Sequence, residues 1–422
     1  MDRRNFMKLV GLSGLALATP VASDAFAAED NKVYKGNFFI AFVANGGWDV
    51  CNLCDPKGQS EGVDQAFATG DILTAGKIKY APIGANESFF KKFKDDLLVI
   101  NGIDTITNGH STGSRYAGTG QLTGRGYPTF AALFAAKKSE GLGLPLAYLS
   151  YGGYSATGNL LPVSRLGSTA SIERLGESDF EGGNLDRPYL SEFGTKALAE
   201  LRAKRRSTQL GRQNLPKINR EMGTLFAAQL SASKLKKISE YLPNDEELNS
   251  LRGAKRSAAV VMAACKAGLC ISANLSVGGF DTHGDHENRQ NDRLTEYTET
   301  VEYLMERAEA LGIRDRVVLM MASEFSRTPK YNDDQGKDHW PVASMMFMGP
   351  GIKGNRVIGA TDENHQAKGF DPAKMKPIDD KTLRIRPHHI HNSLRRLTGI
   401  DASDEAVKFV LQEPEIEIDF FS

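Results

Sequence analysis

Carboxylates and imidazoles stand directly after apolar runs in this sequence, and there its chemistry should be sought. Asp49 follows the run Phe38–Val43 through Asn45-Gly46-Gly47-Trp48. Asp281 and His283 follow Ile271–Val277 through Gly278-Gly279-Phe280, and Glu324 follows Arg316–Met321. Asp338 and His339 come as a pair behind Gly336-Lys337. Oxygen and imidazole donors converging from several loops would suit a divalent cation, with Zn, Mn, Mg and Ca all compatible. A buried carboxylate needs a partner, and one metal ion serves several at once. Taken singly, an Asp at a strand end reads as well as the cap of the next helix, so the case for a metal rests on the group.

A second kind of chemistry is written in His110-Ser111-Thr112-Gly113-Ser114-Arg115, which follows the run Leu97–Ile100 and should open a helix. A hydroxyl at a helix amino terminus, with an arginine one turn on, suits attack on a phosphate or sulfate ester. Ser111 is the candidate nucleophile, with His110 and Arg115 beside it. Ser111 or Thr112 as a plain N-cap is the competing reading. Cys51 and Cys54 share a C-x-x-C spacing, and Cys265 and Cys270 flank a helix-to-strand turn. Structural disulfides are the expectation for these four in an oxidising compartment, ahead of redox chemistry. His388, His389 and His391 read as a helix-start cluster near the surface, outside the site.

The four apolar runs have the pattern of strands buried on both faces. Between the third and fourth, Leu294, Tyr297, Val301, Leu304, Ala308 and Leu311 recur at helical spacing and stop at Gly312. Strand, helix and strand in that order make a parallel crossover, and such sheets gather ligands at the carboxyl ends of their strands. The expected fold class is α/β, a mostly parallel sheet sandwiched between helices. The stretch from about 138 to 255 is glycine-rich, then helical and basic around Arg202–Arg206, and reads as an insertion or cap.

With 52 basic and 52 acidic residues in 422, the chain lacks the basic surface of a nucleic-acid binder. Its 41% hydrophobic and 25% charged residues are ordinary globular values. Asp2-Arg3-Arg4-Asn5-Phe6-Met7-Lys8, the apolar stretch Leu9–Ala22 and Ala25-Phe26-Ala27 form a twin-arginine signal with a cleavage site. Residues 1–27 would be removed by export, leaving 28–422 periplasmic or secreted. The export machinery is thus an expected partner, and no stable membrane span is expected afterwards.

Longer motifs then bear a family likeness. Ser323-Glu324-Phe325-Ser326-Arg327-Thr328-Pro329, Gly336-Lys337-Asp338-His339-Trp340-Pro341, Gly349-Pro350-Gly351-Ile352-Lys353-Gly354 and Gly279-Phe280-Asp281-Thr282-His283 resemble domain-of-unknown-function family 1501. That family of exported proteins lies within the alkaline phosphatase/sulfatase superfamily. The resemblance implies a metal centre at the strand ends, with Asp49 matching a first-strand metal ligand, Asp281 and His283 a later pair, and Asp338-His339 completing the cluster. Ser111-x-x-x-Arg115 with Leu122-Thr123-Gly124-Arg125 is similar to the sulfatase nucleophile pattern. Gly113 stands where that pattern has proline, so no formylglycine is implied, and Thr112 and Ser114 remain rival nucleophiles. Glu324-Phe325 stands where the phosphatases carry Asp-His. The implied function is an exported metal-dependent hydrolase of phosphate or sulfate esters, acting on a small-molecule or glycan ester. The alternative is a non-catalytic relative acting as a cell-envelope binding or assembly factor.

Overall fold

An apolar run with no polar interruption is stable only between two covering layers, and all four such runs become strands of one sheet. In the computed structural model, which describes residues 34–142, 144, 146–165, 191–212, 237–380, 383–411 and 416–422, these strands are β1 (Phe38–Ala44), β2 (Leu98–Asp104), β4 (Ser272–Val277) and β5 (Val317–Ser323), joined by β3 (Tyr148–Tyr151), β6 (Val342–Met348) and β7 (Arg356–Ile358). The strand order is β7-β2-β6-β5-β1-β4-β3. Every neighbouring pair is parallel except those made by β6, which runs against both β2 and β5. The mostly parallel sheet is therefore as expected, with one reversed strand inside it. The segment read as a twin-arginine signal lies outside the described residues, as do parts of the stretch read as an insertion. β3 falls within that stretch yet forms the edge of the main sheet.

The helices that frame the site and cover the sheet are α1 (His110–Thr119), α2 (Phe130–Lys138), α3 (Gly253–Lys266), α4 (His286–Ala310) and α5 (Pro387–Leu397). Two phenylalanines of β1 show how they are layered. Phe39 packs edge-on against Phe130 of α2, with centroids 4.6 Å apart. Phe42 stacks on Tyr297 of α4 at 4.2 Å, and the Tyr297 hydroxyl donates to the Phe42 carbonyl at 2.7 Å. Residues three apart on a strand face opposite ways, so α2 and α4 cover opposite faces. The helix predicted from Leu294 onward starts earlier, at His286, and stops as predicted before Gly312, whose φ of +64° is left-handed.

The parallel strands β1, β2, β4 and β5 all finish at one end of the sheet, and β6, being reversed, starts there. The loops carrying Asp49, His110, Asp281, Glu324 and His339 thus meet above one edge, which is what the site requires. Among the described residues no helix is long and apolar enough to cross a membrane.

Candidate metal centre

Two backbone devices bring these loops together. After β1 the chain turns through Gly46, with φ +120°, where a Cβ would fall 2.4 Å from the Asp281 nitrogen. Only glycine lets the loops after β1 and β4 lie against each other. A two-residue ladder pairs Ser326-Arg327 with His339-Trp340, so the segment after β5 holds the one before β6.

Within that frame three imidazoles are tethered by the same nitrogen. His110 Nδ1 lies 3.0 Å from Glu324 Oε1, His283 Nδ1 lies 2.8 Å from Asp338 Oδ1, and His339 Nδ1 lies 2.7 Å from the Asn108 carbonyl. Ionised carboxylates and carbonyls only accept hydrogen bonds, so each Nδ1 must carry the hydrogen. In a neutral ring this leaves Nε2 with a bare lone pair. All three Nε2 atoms converge on Asp281: His283 at 3.0 Å and His339 at 3.1 Å from Oδ1, and His110 at 3.4 Å from Oδ2. The Nε2 atoms of His283 and His339 are themselves only 3.1 Å apart. Bare lone pairs that close repel one another and the carboxylate unless a cation or added protons sit among them. Ligand atoms of His110, Asp281 and His339 all lie within 4.8 Å of one another. Imidazoles fixed by the far nitrogen with Nε2 free are the usual arrangement of metal-ligating histidine.

Glu324 is buried and serves as a tether rather than a converging ligand. It accepts from His110 and from the Gly46 N–H at 2.7 Å, and Ser323 Oγ donates to its other oxygen at 3.2 Å. Asp338 is an exposed tether, and the His283 bond, the largest influence on it, holds its carboxyl below the usual range. For Asp281, burial would raise the pKa, but the Arg327 guanidinium that donates to Oδ1 outweighs it and holds the group down at about 2. It is an anion at any physiological pH.

Arg327 has no exposed surface. Its Nη2 donates to Asp281 Oδ1 at 2.6 Å and to the Gly46 carbonyl, its Nε to the Gly47 carbonyl at 3.0 Å, and its Nη1 to the Lys337 carbonyl at 2.9 Å. Phe325 lies under the cluster, its ring 4.5 Å from that of His339 and 5.0 Å from that of His110.

Asp49, grouped by the resemblance with these ligands, lies apart from them. Its Oδ2 accepts from Lys337 Nζ at 2.8 Å and from His286 Nε2 at 3.0 Å, and its Oδ1 from the Cys51 N–H at 2.8 Å. Burial would raise its pKa, yet Lys337 and His286 drive it far below the normal carboxylate range. At the head of α1, Ser111 is exposed beside His110. Arg115 turns the other way, with Nε and Nη2 on the Leu122 carbonyl at 3.2 and 2.6 Å. Ser114 faces Ala41 and Val43 of β1, on the sheet side of the helix.

The cysteines and the histidine triplet differ from expectation. All four cysteines are buried thiols rather than disulfides, and burial pushes the Cys51 and Cys54 thiols well up, which disfavours the reactive thiolate. His388, His389 and His391 do open a helix, but they are buried, not near the surface. Sequence reasoning missed Arg327 and Lys337 as members of the site, while His286 shares the glycine-flanked loop of Asp281 and His283. Lys337 directly precedes the Asp338-His339 pair, and that adjacency was the one local signal available.

The family described as "Protein of unknown function (DUF1501)" matches residues 39–410, nearly the whole described chain. The chain belongs to that family. Solved structures with a similar chain path to this DUF1501 protein include the PsFucS1 sulfatase from Pseudoalteromonas sp., at 9% identity and TM-score 0.35, covering 91% of this chain and 72% of that one. Others are the lipoteichoic acid synthase LtaP from Listeria monocytogenes, at 8% and 0.36, covering 95% and 80%, and the alkaline phosphatase of the Antarctic bacterium TAB5, at 8% and 0.35, covering 87% and 99%. At these identities and TM-scores the likeness goes no further than the chain path. No curated protein matches the sequence.

Proposed function

We propose that this DUF1501 protein is an exported, metal-dependent hydrolase of phosphate or sulfate esters. One divalent ion would be held by Nε2 of His110, His283 and His339 with the Asp281 carboxylate. The observation that carries this reading is the shared tethering of the three Nδ1 atoms, which leaves three lone pairs directed at one carboxylate. Three imidazoles and a carboxylate suit Zn or Mn; six-coordinate Mn would keep positions for a substrate oxygen, whereas Zn would have to expand to five-coordinate to take one. Bound there, the ion supplies Lewis acidity toward an ester oxygen.

The chain's own groups do the rest. Ser111, in the first turn of α1, offers its hydroxyl where unpaired backbone N–H groups favour an anionic centre. Glu324 and Asp338 fix the ring orientations of His110 and His283, so the site is ordered before substrate arrives. The substrate class is a small-molecule or glycan ester met in the periplasm, with the protein delivered there by the twin-arginine machinery acting on residues 1–27.

Protein purified from the periplasm should cleave an aryl phosphate, a phosphodiester or an aryl sulfate when supplied with Zn, Mn, Mg or Ca. Asp281→Asn and Ser111→Ala should each lower kcat by about 100-fold or more. Cleavage of none of these esters with any of the four ions would contradict the proposal. The withdrawal of Arg115 onto Leu122, away from the cluster, favours the second reading, a non-catalytic envelope binding or assembly factor. Its signature would be a stable periplasmic partner retained by Asp281→Asn.

A further inference from the structure

The Asp49 pocket is built of ligand-type residues, yet its donor set does not fit a metal ion. A metal ligand must present a free electron pair. Three of the four lone-pair sites of Asp49 are already taken, two on Oδ2 and one on Oδ1, and the two donors on Oδ2 are Lys337 and His286. His286 presents no free pair either: Nε2 faces Asp49, and Nδ1 meets the Thr282 hydroxyl at 2.8 Å. Whether Nδ1 accepts from that hydroxyl or donates to it, its lone-pair position is taken up by Thr282. Asp49, His286 and Lys337 have no exposed surface, so neither solvent nor an arriving ion reaches them without rearrangement.

The space between this pocket and the histidine cluster is also occupied by a side-chain cation. Arg327 reaches from the Gly46 and Gly47 carbonyls beside Asp49 to the Asp281 carboxylate. Two carboxylates, those of Asp49 and Asp281, are thus each met by a cation that the chain itself carries. Phe325 fills the volume beneath His110 and His339 with an apolar ring.

We infer that Lys337 and Arg327 are built-in counter-ions, that Asp49 is not a metal ligand, and that the centre takes a single metal ion per chain. Lys337, Asp338 and His339 then form one strap with three tasks. Lys337 neutralises Asp49, Asp338 orients His283, and His339 presents Nε2 to the ion. The inference rests on the metal reading above only for the number of ions; the role of Lys337 stands on its own contacts.

Two measurements test it. Elemental analysis of the purified wild type, dialysed and reloaded with Mn or Zn, should give one ion per chain, and Asp49→Asn should keep that ion while Asp281→Asn loses it. Two ions in the wild type, or loss of the ion in Asp49→Asn, would overturn the inference. The second measurement is thermal melting without metal of Asp49→Asn, Lys337→Met and the double variant. A buried pair broken on one side should lower Tm by roughly 4–6 °C, and the double variant should melt no lower than the worse single one. Additive losses would overturn the counter-ion role. A count of zero in the wild type would refute the metal reading alone, and the melting series would then decide whether Lys337 is the partner of Asp49.

Discussion

Stability is expected to fall steeply as pH drops from about 6.5 to 4. His388, His389 and His391 open α5 and are packed out of solvent, and burial pulls their pKa values down to about 4, 3 and 4 from an ordinary 6.5. The charges facing them add to this: Arg386 lowers His388 and His389, and Arg395 lowers His391, while the Ala117 carbonyl, bonded to His391 Nε2 at 2.8 Å, works the other way. Tyr116 meets His388 Nδ1 at 2.9 Å and stays protonated throughout. The unfolded chain takes up these protons near pH 6.5, whereas the folded chain resists them until about pH 4. The stabilisation is therefore complete above 6.5 and is lost progressively below it. At about 1.4 kcal/mol per pKa unit, His391 alone is worth roughly 3 kcal/mol across that window. His388 and His389 sense each other's charge and solvent screening trims their share, so together they add a few kcal/mol more. Set against a typical net stability of about 5–15 kcal/mol, that removes a large fraction of it by pH 4. Urea denaturation at pH 7, 5.5 and 4.5 would check it, with His391→Gln beside the wild type. The variant keeps a donor for Ala117 and should show a shallower decline; equal slopes would contradict the role given to His391.

The second large effect is expected at Arg327. Replacing it by Met keeps the volume but strands three carbonyls, those of Gly46, Gly47 and Lys337, together with the Asp281 carboxylate. Removing one side of a buried charged network costs about 3–5 kcal/mol. Arg327→Lys should recover little of this, because one ammonium cannot span donors that point three ways. The consequence reaches the site, since Asp281 loses the guanidinium that holds its carboxylate in place beside the imidazoles. Both variants should bind metal more weakly even where they remain folded. Chemical denaturation and metal titration of Arg327→Met and Arg327→Lys would measure the two losses. A lysine variant as stable as the wild type would contradict the role assigned to the guanidinium.

The sheet was legible because its strands announce themselves: Phe38–Val43 and Ile271–Val277 can be stable only when covered on both faces, and each is followed by a glycine-rich loop. β6, equally apolar, gives no sign in its own residues that it runs the other way. Direction is set by what precedes and follows it, here the short ladder through His339 and the turn at Gly349. Of the candidate site, Asp281 and His283 could be found from their place after a strand, and His339 from its pairing with Asp338. Arg327 and Lys337 could not, since a buried cation has the same local spacing as a solvated one. Their partners lie 46 and 288 residues away, at Asp281 and Asp49. The triplet His388, His389 and His391 misled for a related reason. Polar residues at a helix start are normally solvated, and only the contact between α5 and α1, through Tyr116 and Ala117, takes them inside.

The central claim is that three Nε2 atoms and Asp281 form one metal centre. Titration of the metal-free protein with cobalt(II), followed by visible absorption, tests it most directly, because nitrogen-rich low-coordinate cobalt absorbs far more strongly than the hydrated ion. A single such centre should give a strong band that saturates at one equivalent and is abolished in the Asp281→Asn/His339→Ala double variant. No band in the wild type, or the same band in the double variant, would contradict it.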